Sequence, residues 1–145
     1  MAKNKVVLDL RISGFEDIKH DELTQLIGFQ PIMVFVIGDK RNPRNPNSPL
    51  IKRNSWLMGS GLDEYASFDD QMNAMLTIIE SKLDIFRDLS KKYYCEFSCA
   101  IFTYADNGES TPWIHLDSRY NKLIKEVDIE FDLDLYAWPD TDEDE

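Results

Sequence analysis

Four carboxylates near the C-terminal end of the chain have the residue type and spacing that could bind a cation or a basic partner. Asp128, Glu130, Asp132 and Asp134 alternate with apolar residues over 127–136. A period of two is typical of a β-strand with one buried face, so the acids are predicted to line the other face, roughly 6 to 7 Å apart. A hard metal ion needs several oxygen ligands converging at about 2.5 Å, whereas carboxylates in line along one strand diverge. The pattern therefore favours a solvated sheet face or a surface for a basic protein over a metal site.

Basic residues are concentrated in the segment 38–54, which we call the basic loop. It contains five basic residues and one acidic residue, a net charge of +4: Lys40, Arg41, Arg44, Lys52 and Arg53 against Asp39. Prolines at positions 43, 46 and 49 predict irregular structure. Arginine side chains match phosphates and carboxylates bidentately, so these residues are candidates for binding an anion, with Trp56 and Trp113 as apolar walls. The alternatives are that the basic loop contacts the chain's own acidic face or is simply solvated.

Residues with catalytic potential are few. His115 and Asp117 are two positions apart and would share a face, but the sequence places no nucleophile beside them. His20 is predicted to be a surface residue, and neither histidine has the spacing of a metal-ligand pair. Cys95 and Cys99 are four apart in a predicted strand, about 13 Å between Cα atoms, which predicts free thiols. Since phosphate-loop, dinucleotide and nucleophile-elbow motifs are also absent, we expect no catalytic residues, metal or cofactor.

The composition is that of an ordinary soluble globular protein. The chain has 145 residues, of which 43% are hydrophobic, so a single domain can bury a sufficient core. The net charge of −11 argues against nucleic-acid binding, because neutralisation of phosphates supplies most of that affinity. No apolar stretch approaches the roughly 18 residues needed to span a bilayer, which predicts a cytoplasmic protein without membrane contact. The domain is predicted over 1–139, with 140–145 as a disordered acidic tail.

Apolar periodicity predicts elements in the order β-α-β-β-α-β-β-α-β. The predicted strands cover 6–13, 32–37, 55–58, 94–104, 113–116 and 127–136, and the helices cover 19–27, 68–92 and a short segment after Asp117. The continuously apolar run 32–37 is typical of an inner strand buried on both faces. Asp106-Asn107-Gly108 predicts a hairpin turn. These elements predict an α+β fold with a mostly antiparallel sheet of about six strands and helices on one face, a ferredoxin-like core with a β-α-β extension.

Several segments together resemble a bacterial family called domain of unknown function 4279. They are Leu26-Ile27-Gly28-Phe29-Gln30-Pro31, Gly38-Asp39-Lys40 with the basic loop, Trp56 in a short strand, the long helix, and the closing helix with its alternating acidic strand. The resemblance covers about residues 5–137, although the strand 32–37 is more apolar than the family leads us to expect and the tail after Pro139 lies outside it. It implies a small, stand-alone bacterial cytoplasmic protein with no assigned activity and no catalytic residues to carry over. Some compact acidic families of this kind are immunity proteins encoded beside toxins, which supports an interaction role by analogy.

The leading hypothesis is a non-catalytic protein-interaction module, and in particular an immunity-type inhibitor. It would present Asp128, Glu130, Asp132 and Asp134 to a basic protein partner. The alternative is a module that binds a small anionic ligand through the basic loop and Trp56. The sequence assigns no oligomeric state.

Overall fold

The computed structural model of the chain describes residues 2–139, so the predicted acidic tail, Asp140–Glu145, lies outside the described residues. The strands are β1 (Lys5–Ser13), β2 (Met33–Phe35), β3 (Ser55–Gly59), β4 (Tyr94–Tyr104) and β5 (Glu130–Trp138). The helices are α1 (His20–Ile27), α2 (Phe68–Ser81), α3 (Leu83–Lys92) and α4 (Ser118–Ile124). Within these residues no helix combines the length and the apolar character needed to cross a bilayer. The predicted α+β class is confirmed.

The strands form a mixed sheet in the order β2-β3-β1-β4-β5. The pairs β2-β3, β3-β1 and β1-β4 are antiparallel, whereas β4-β5 is parallel. The expected count of about six strands is wrong, because 113–116 forms no strand. The turn at Asp106 and Gly108 does form, with positive φ angles of 57° and 77°. The chain then leaves the sheet, and Ile114 and Leu116 pack against the hydrophobic core instead, so β5 takes the place beside β4.

The helices cover one face of the sheet, and the core lies between the two layers. β1 alternates as its sequence predicts, with Val6, Leu8, Leu10 and Ile12 buried on the helix side. Burying an apolar side chain of this size contributes roughly 1.5 to 3 kcal/mol. Each of the helices α1 to α4 contributes buried residues to the same core cluster. No described helix packs on the opposite side of the sheet, which we call the open face.

The segment predicted as one long helix, 68–92, is divided into α2 and α3. α2 begins where the sequence predicts, with the Ser67 hydroxyl accepting a hydrogen bond from the Asp70 backbone N–H at 3.1 Å. Lys82 then leaves helical geometry, with φ −130° and ψ 36°, and the helix resumes at Leu83. Both helices bury apolar residues in the core on either side of this break.

The prediction that 32–37 is an inner strand is wrong. β2 contains only Met33–Phe35 and lies at an edge of the sheet. Its surroundings leave Ile32 60% exposed, Met33 52% and Val34 41%. A continuous apolar run is buried on both faces only where further strands and helices cover it, and here the run is the outer arm of a hairpin with β3.

Cys95 and Cys99 are buried free thiols, as the sequence predicts. Their register partners on β1 are Ile12 and Leu8, which are buried on the helix side, so both thiols point into the core. Burial raises the pKa of Cys95 to about 12 and that of Cys99 to about 11. Since the thiolate is the reactive form, these side chains behave as small apolar core residues at neutral pH.

A buried glutamine completes the sheet where β3 ends. β3 pairs with β1 only from Asp9 to Ser13, which leaves Val6 and Leu8 without a strand partner on that side. The Gln71 side chain, only 2% exposed, takes this place. Its Nε2 donates to the Val6 carbonyl at 2.6 Å and its Oε1 accepts from the Leu8 N–H at 3.2 Å. Left unpaired, each of these buried backbone groups would cost roughly 1 to 3 kcal/mol.

We expect Gln71→Ala to lower the free energy of unfolding by about 2 to 4 kcal/mol, because it leaves the Val6 carbonyl and the Leu8 N–H without partners. For a domain of this length the melting temperature should fall by roughly 5 to 15 °C. Thermal unfolding followed by circular dichroism measures the change. Asn73→Ala, at an exposed position of the same helix, is the control. Equal shifts for the two variants would contradict the role given to Gln71.

Candidate functional site

The open face of the sheet changes in charge from one edge to the other. Arg11 of β1, Glu96 of β4 and Glu130 of β5 are partners in register on this face. Two and four residues further along β5, Asp132 and Asp134 lie on the same face, in register with Ser98 and Ala100 of β4. The basic loop joins β2 and β3 at the opposite edge. The open face therefore has a basic end and an acidic end.

The basic end contains a groove of about 800 Å³, which we call the basic groove. Its cationic lining residues are Arg11, Arg41, Lys52 and Arg53, and Phe35 and Tyr94 contribute aromatic rings. The Arg11 guanidinium carbon lies 5.9 Å from the centroid of the Phe35 ring, within the range of a cation–π contact. The Nε atom of Arg11 is buried and has no hydrogen-bond partner among the described residues. The repulsion between these cations and the unpaired buried N–H of Arg11 both destabilise the protein when the groove is empty. A bound anion would offset both costs.

The basic loop is held by its own backbone hydrogen bonds. The Gly38 N–H donates to the Ile51 carbonyl at 3.0 Å, and the Ile51 N–H donates to the Asp39 carbonyl at 2.7 Å. Further out, the Arg41 N–H donates to the Pro49 carbonyl at 3.0 Å. The predicted irregular structure is confirmed for most of this segment, which consists of turns and bends with one isolated β-bridge between Lys40 and Leu50. These hydrogen bonds hold the two arms of the basic loop together, and Arg41, Lys52 and Arg53 from the two arms line the basic groove.

The structure brings only some of the predicted anion-binding residues into the basic groove. Those that line it are Arg41, Lys52 and Arg53. Lys40 instead lines a second groove against β2, and Arg44 lines neither. Sequence reasoning missed Arg11. The alternation of β1 placed Arg11 on the outer face, but only the register of β1 with β3 and β4 shows that it lies beside the basic loop.

The prediction that Trp56 forms a wall of an anion site is wrong. The alternation of β3 turns Trp56 to the helix side, where it is fully buried. Its indole N–H donates to the hydroxyl of Thr24 on α1 at 3.0 Å. Trp113 is 66% exposed and does not line the basic groove. The aromatic rings that line the basic groove are those of Phe35 and Tyr94. Phe35 belongs to β2 and Tyr94 to β4, and β3 and β1 lie between these two strands.

Glu96 is the carboxylate that lines the basic groove. Its Oε1 accepts a hydrogen bond from the Tyr94 hydroxyl at 2.7 Å, and its Oε2 accepts one from the Ser98 hydroxyl at 2.6 Å. The hydrogen bond to Glu96 is the main reason that the pKa of Tyr94 lies above its ordinary range. Two hydroxyl donors thus fix this carboxylate beside the cations, and Tyr94 stays protonated at neutral pH.

The four acids of the C-terminal segment are all exposed. Glu130, Asp132 and Asp134 lie on the open face of β5, and Asp128 precedes the strand. In residues 2–139 none of them forms an ion pair with the basic loop; the ion pairs found there join other segments. β2 and β5 are opposite edges of the sheet, about four strand spacings or roughly 19 Å apart. The acids and the basic loop therefore do not neutralise each other directly, although the basic groove reaches Glu96, the register partner of Glu130.

The prediction that the last strand is half-buried along its whole length is wrong. Val127 and Ile129, just before β5, are buried, and Phe131 is partly buried against the core. Leu133, however, is 47% exposed and Leu135 is 65% exposed. β5 is an edge strand that continues past the cover of the helices, so the alternation in sequence persists where burial has ended.

The two histidines do not form a catalytic pair with a carboxylate in the described residues. Asp117 caps α4, its Oδ1 accepting from the Tyr120 N–H at 3.0 Å, while His115 is exposed and shares no hydrogen bond with Asp117 in the described residues. His20, expected at the surface, is partly buried, and its Nε2 is hydrogen-bonded to the Phe35 carbonyl at 2.8 Å. No group of three His, Cys, Asp or Glu side chains in residues 2–139 is placed to hold a metal ion.

The fold and the open face define a small α+β protein with helices on one side of a mixed sheet and a surface divided between a basic groove and an acidic edge. The chain belongs to the family Domain of unknown function (DUF4279), whose model matches residues 4–138. The family resemblance seen in the sequence is thereby confirmed. No curated protein matches the chain, and no solved structure does.

Asp9, half-buried on the open face of β1, provides a test of the electrostatics of this surface. Burial raises the pKa of its carboxyl group, against the attraction of Arg11. A carboxyl group whose folded-state pKa lies above its unfolded value of about 3.9 destabilises the fold at neutral pH. This cost is relieved as the pH falls through the folded-state pKa.

We therefore expect Asp9→Asn to raise the free energy of unfolding at pH 7, with the gain shrinking as the pH falls towards 4. Urea unfolding at the two pH values measures the gain. Asp39→Asn, at an exposed position of the basic loop, is the control. A gain for Asp9→Asn that is the same at both pH values would rule out this explanation.

Proposed function

We propose that the chain is a non-catalytic protein-interaction module that presents the acidic end of its open face to a basic protein partner. The observation that carries the proposal is the position of Glu130, Asp132 and Asp134, which are exposed on an edge strand and not paired with the basic loop. Glu96 and Glu130 are in addition cross-strand neighbours. Like charges in such positions repel each other, and a basic partner would relieve the repulsion.

The surroundings of these acids support a protein partner over dissolved cations. Tyr136 and Trp138 share the face of the acids and are 44% and 46% exposed, and Leu133 and Leu135 on the other face of the same strand are 47% and 65% exposed. Aromatic and apolar side chains beside charged ones are typical of protein interfaces. Complementary charge speeds encounter and selects among partners, which is what a protein that must find one basic target needs. We propose in particular an immunity-type inhibitor, by analogy with other compact acidic proteins.

Neutralising the acids should weaken binding to the natural partner. In the variant Asp128→Asn, Glu130→Gln, Asp132→Asn, Asp134→Asn, we expect affinity for a partner captured from native lysate at low salt to fall roughly tenfold or more. The loss should appear mainly in the association rate and should diminish as salt is added. Surface-based binding kinetics at two ionic strengths measure both effects.

The matched control removes the same charge elsewhere. Glu16→Gln, Asp21→Asn, Asp70→Asn and Asp88→Asn change four exposed acids away from β5. If both quadruple variants bind the partner equally well, or if no protein partner is recovered, the interaction proposal fails.

A second candidate function is the binding of a small anionic ligand in the basic groove. The specific observation in its favour is the buried Nε of Arg11, which lacks a partner among the described residues, next to Arg41, Lys52 and Arg53. Arginine forks suit phosphate and carboxylate groups, and Phe35 and Tyr94 supply the aromatic surface that small-molecule sites commonly contain.

A thermal-shift screen of inorganic phosphate, nucleotides and phosphorylated metabolites tests this second candidate. A ligand at a hundred times its dissociation constant stabilises a protein by about 2.7 kcal/mol, which for this chain length corresponds to roughly 5 to 10 °C. We expect Arg11→Gln to abolish the shift and Lys125→Gln, an exposed position on the helix side, to keep it. Absence of a shift with every anion would exclude the anion site.

Two finer points belong with these proposals. We propose that β1 to β4, with the helices that connect them, form a ferredoxin-like unit. The support is the antiparallel pairing of these strands and a β-α-β-β-α-β succession in which α2 and α3 together stand in the place of the second helix. We also propose that the protein acts in the cytoplasm, with which its buried free thiols are compatible.

A further inference from the structure

β5 has a free backbone edge whose direction is fixed by one hydrogen bond. The Trp138 carbonyl accepts from the Ala105 N–H at 3.0 Å, which turns the backbone groups of Trp138 towards β4. In a parallel pair, successive residues direct their N–H and C=O groups to alternate sides. The even-numbered residues of β5 therefore bond to β4. Those whose backbone groups point to the free edge are Phe131, Leu133, Leu135 and Ala137.

The helix-side surface of β5 is apolar and uncovered next to this edge. Leu133 is in register with Cys99 and Leu135 with Ile101, both of which are buried. Leu133 and Leu135 therefore extend the apolar surface of the core to the edge of the sheet, where they are 47% and 65% exposed. Charged side chains are one way in which proteins protect an edge strand, but here the acids occupy only the open face and leave the leucines uncovered.

We propose that an extended segment of the basic partner adds to the sheet as a strand alongside β5. This inference rests on the interaction function proposed above. Side chains of an added strand alternate between faces, so every second residue would lie beside Asp132 and Asp134 and the others would cover Leu133 and Leu135. The segment that fits alternates lysine or arginine with β-branched or other apolar residues. Its main chain would pair with the free backbone groups of β5.

A second copy of the chain fits this edge poorly. Pairing β5 with β5 would set one row of acids beside another, which is repulsive. The other edge strand, β2, is only three residues long against nine in β5, so it offers few hydrogen bonds. A basic, alternating segment of another protein matches both the charge and the length.

The probe is a nine-residue peptide of alternating lysine and valine with blocked ends, matched to the length of β5. The control peptide has the same composition with lysines and valines in separate blocks. At low salt we expect the alternating peptide to bind at least about tenfold more tightly, because only it can satisfy both faces at once. It should also slow hydrogen exchange of the Leu133 and Leu135 amides at least about tenfold, as measured by NMR.

Leu135→Pro and Leu135→Ala separate the backbone contribution from the side-chain contribution. Proline removes the N–H at the free edge and is tolerated on the outer side of edge strands. We expect Leu135→Pro to weaken peptide binding about tenfold more than Leu135→Ala, the loss of one hydrogen bond in addition to the side chain. If the proline variant does not fold, hydrogen exchange in the unsubstituted protein decides alone.

Strand addition is wrong if the two peptides bind equally or if the Leu133 and Leu135 amides stay unprotected in the complex. The interaction function itself would still stand if the natural partner is lost on neutralising the acids. Conversely, failure of that neutralisation test would remove the basis of both proposals.

Discussion

The sheet of this protein is covered by helices on one side only, and the rest of the structure depends on that one-sided burial. Because successive residues of a strand face opposite sides, a slip of one residue would move Leu10 into water and Arg11 into the core. Register is therefore tightly fixed along β1, and so are the neighbours of every residue on the open face. Where β3 ends too early to complete the sheet, the Gln71 side chain takes over its hydrogen bonds.

Fixed register also explains how a chain of net charge −11 maintains a basic site. The acids of β5 lie about 19 Å from the β2 edge, where the basic loop begins. At physiological salt the Debye length is about 8 Å, so the acids of β5 are largely screened from the β2 edge. They are not screened from the inner end of the basic groove, because Tyr94 and Glu96 of β4 line that end one strand spacing from β5. Glu96 is also in register with Arg11 and is held there by Tyr94 and Ser98. Only the outer part of the basic groove, at the basic loop, is therefore electrostatically separate from the acids of β5.

Sequence predicted the elements whose signals are local. β1, β4 and the end of α1 at Gly28, with its positive φ of 83°, are set by alternation and backbone freedom. The errors arose where a pattern depends on what lies beside it. The run 32–37, which includes β2, and the side chains of Leu133 and Leu135 on β5 are apolar but largely exposed, because β2 and β5 are edge strands. Periodicity reports which residues share a face and does not report whether another layer covers that face.

The candidate site was predictable only in part for the same reason. The composition of the basic loop was visible in sequence, and so was the row of acids on β5. Arg11 gave no signal, since one arginine on the outer face of a strand is ordinary until the strand order places it beside the basic loop. Trp56 was misassigned because the sequence did not show which face of β3 meets α1. Predicting a site that is formed by several strands requires the order of those strands in the sheet, and periodicity in the sequence does not give that order.

The two edges of the sheet are protected in different ways, and the difference bears on function. β2 is three residues long and passes directly into a proline-rich, positively charged hairpin, two features that discourage pairing with another strand. β5 is nine residues long, contains no proline and has charge on one face only. An edge that had merely to stay soluble would need acids or lysines where Leu133 and Leu135 stand. Because those positions are apolar and exposed, β5 is better explained as an edge that is covered by a partner than as one that is kept apart from other chains.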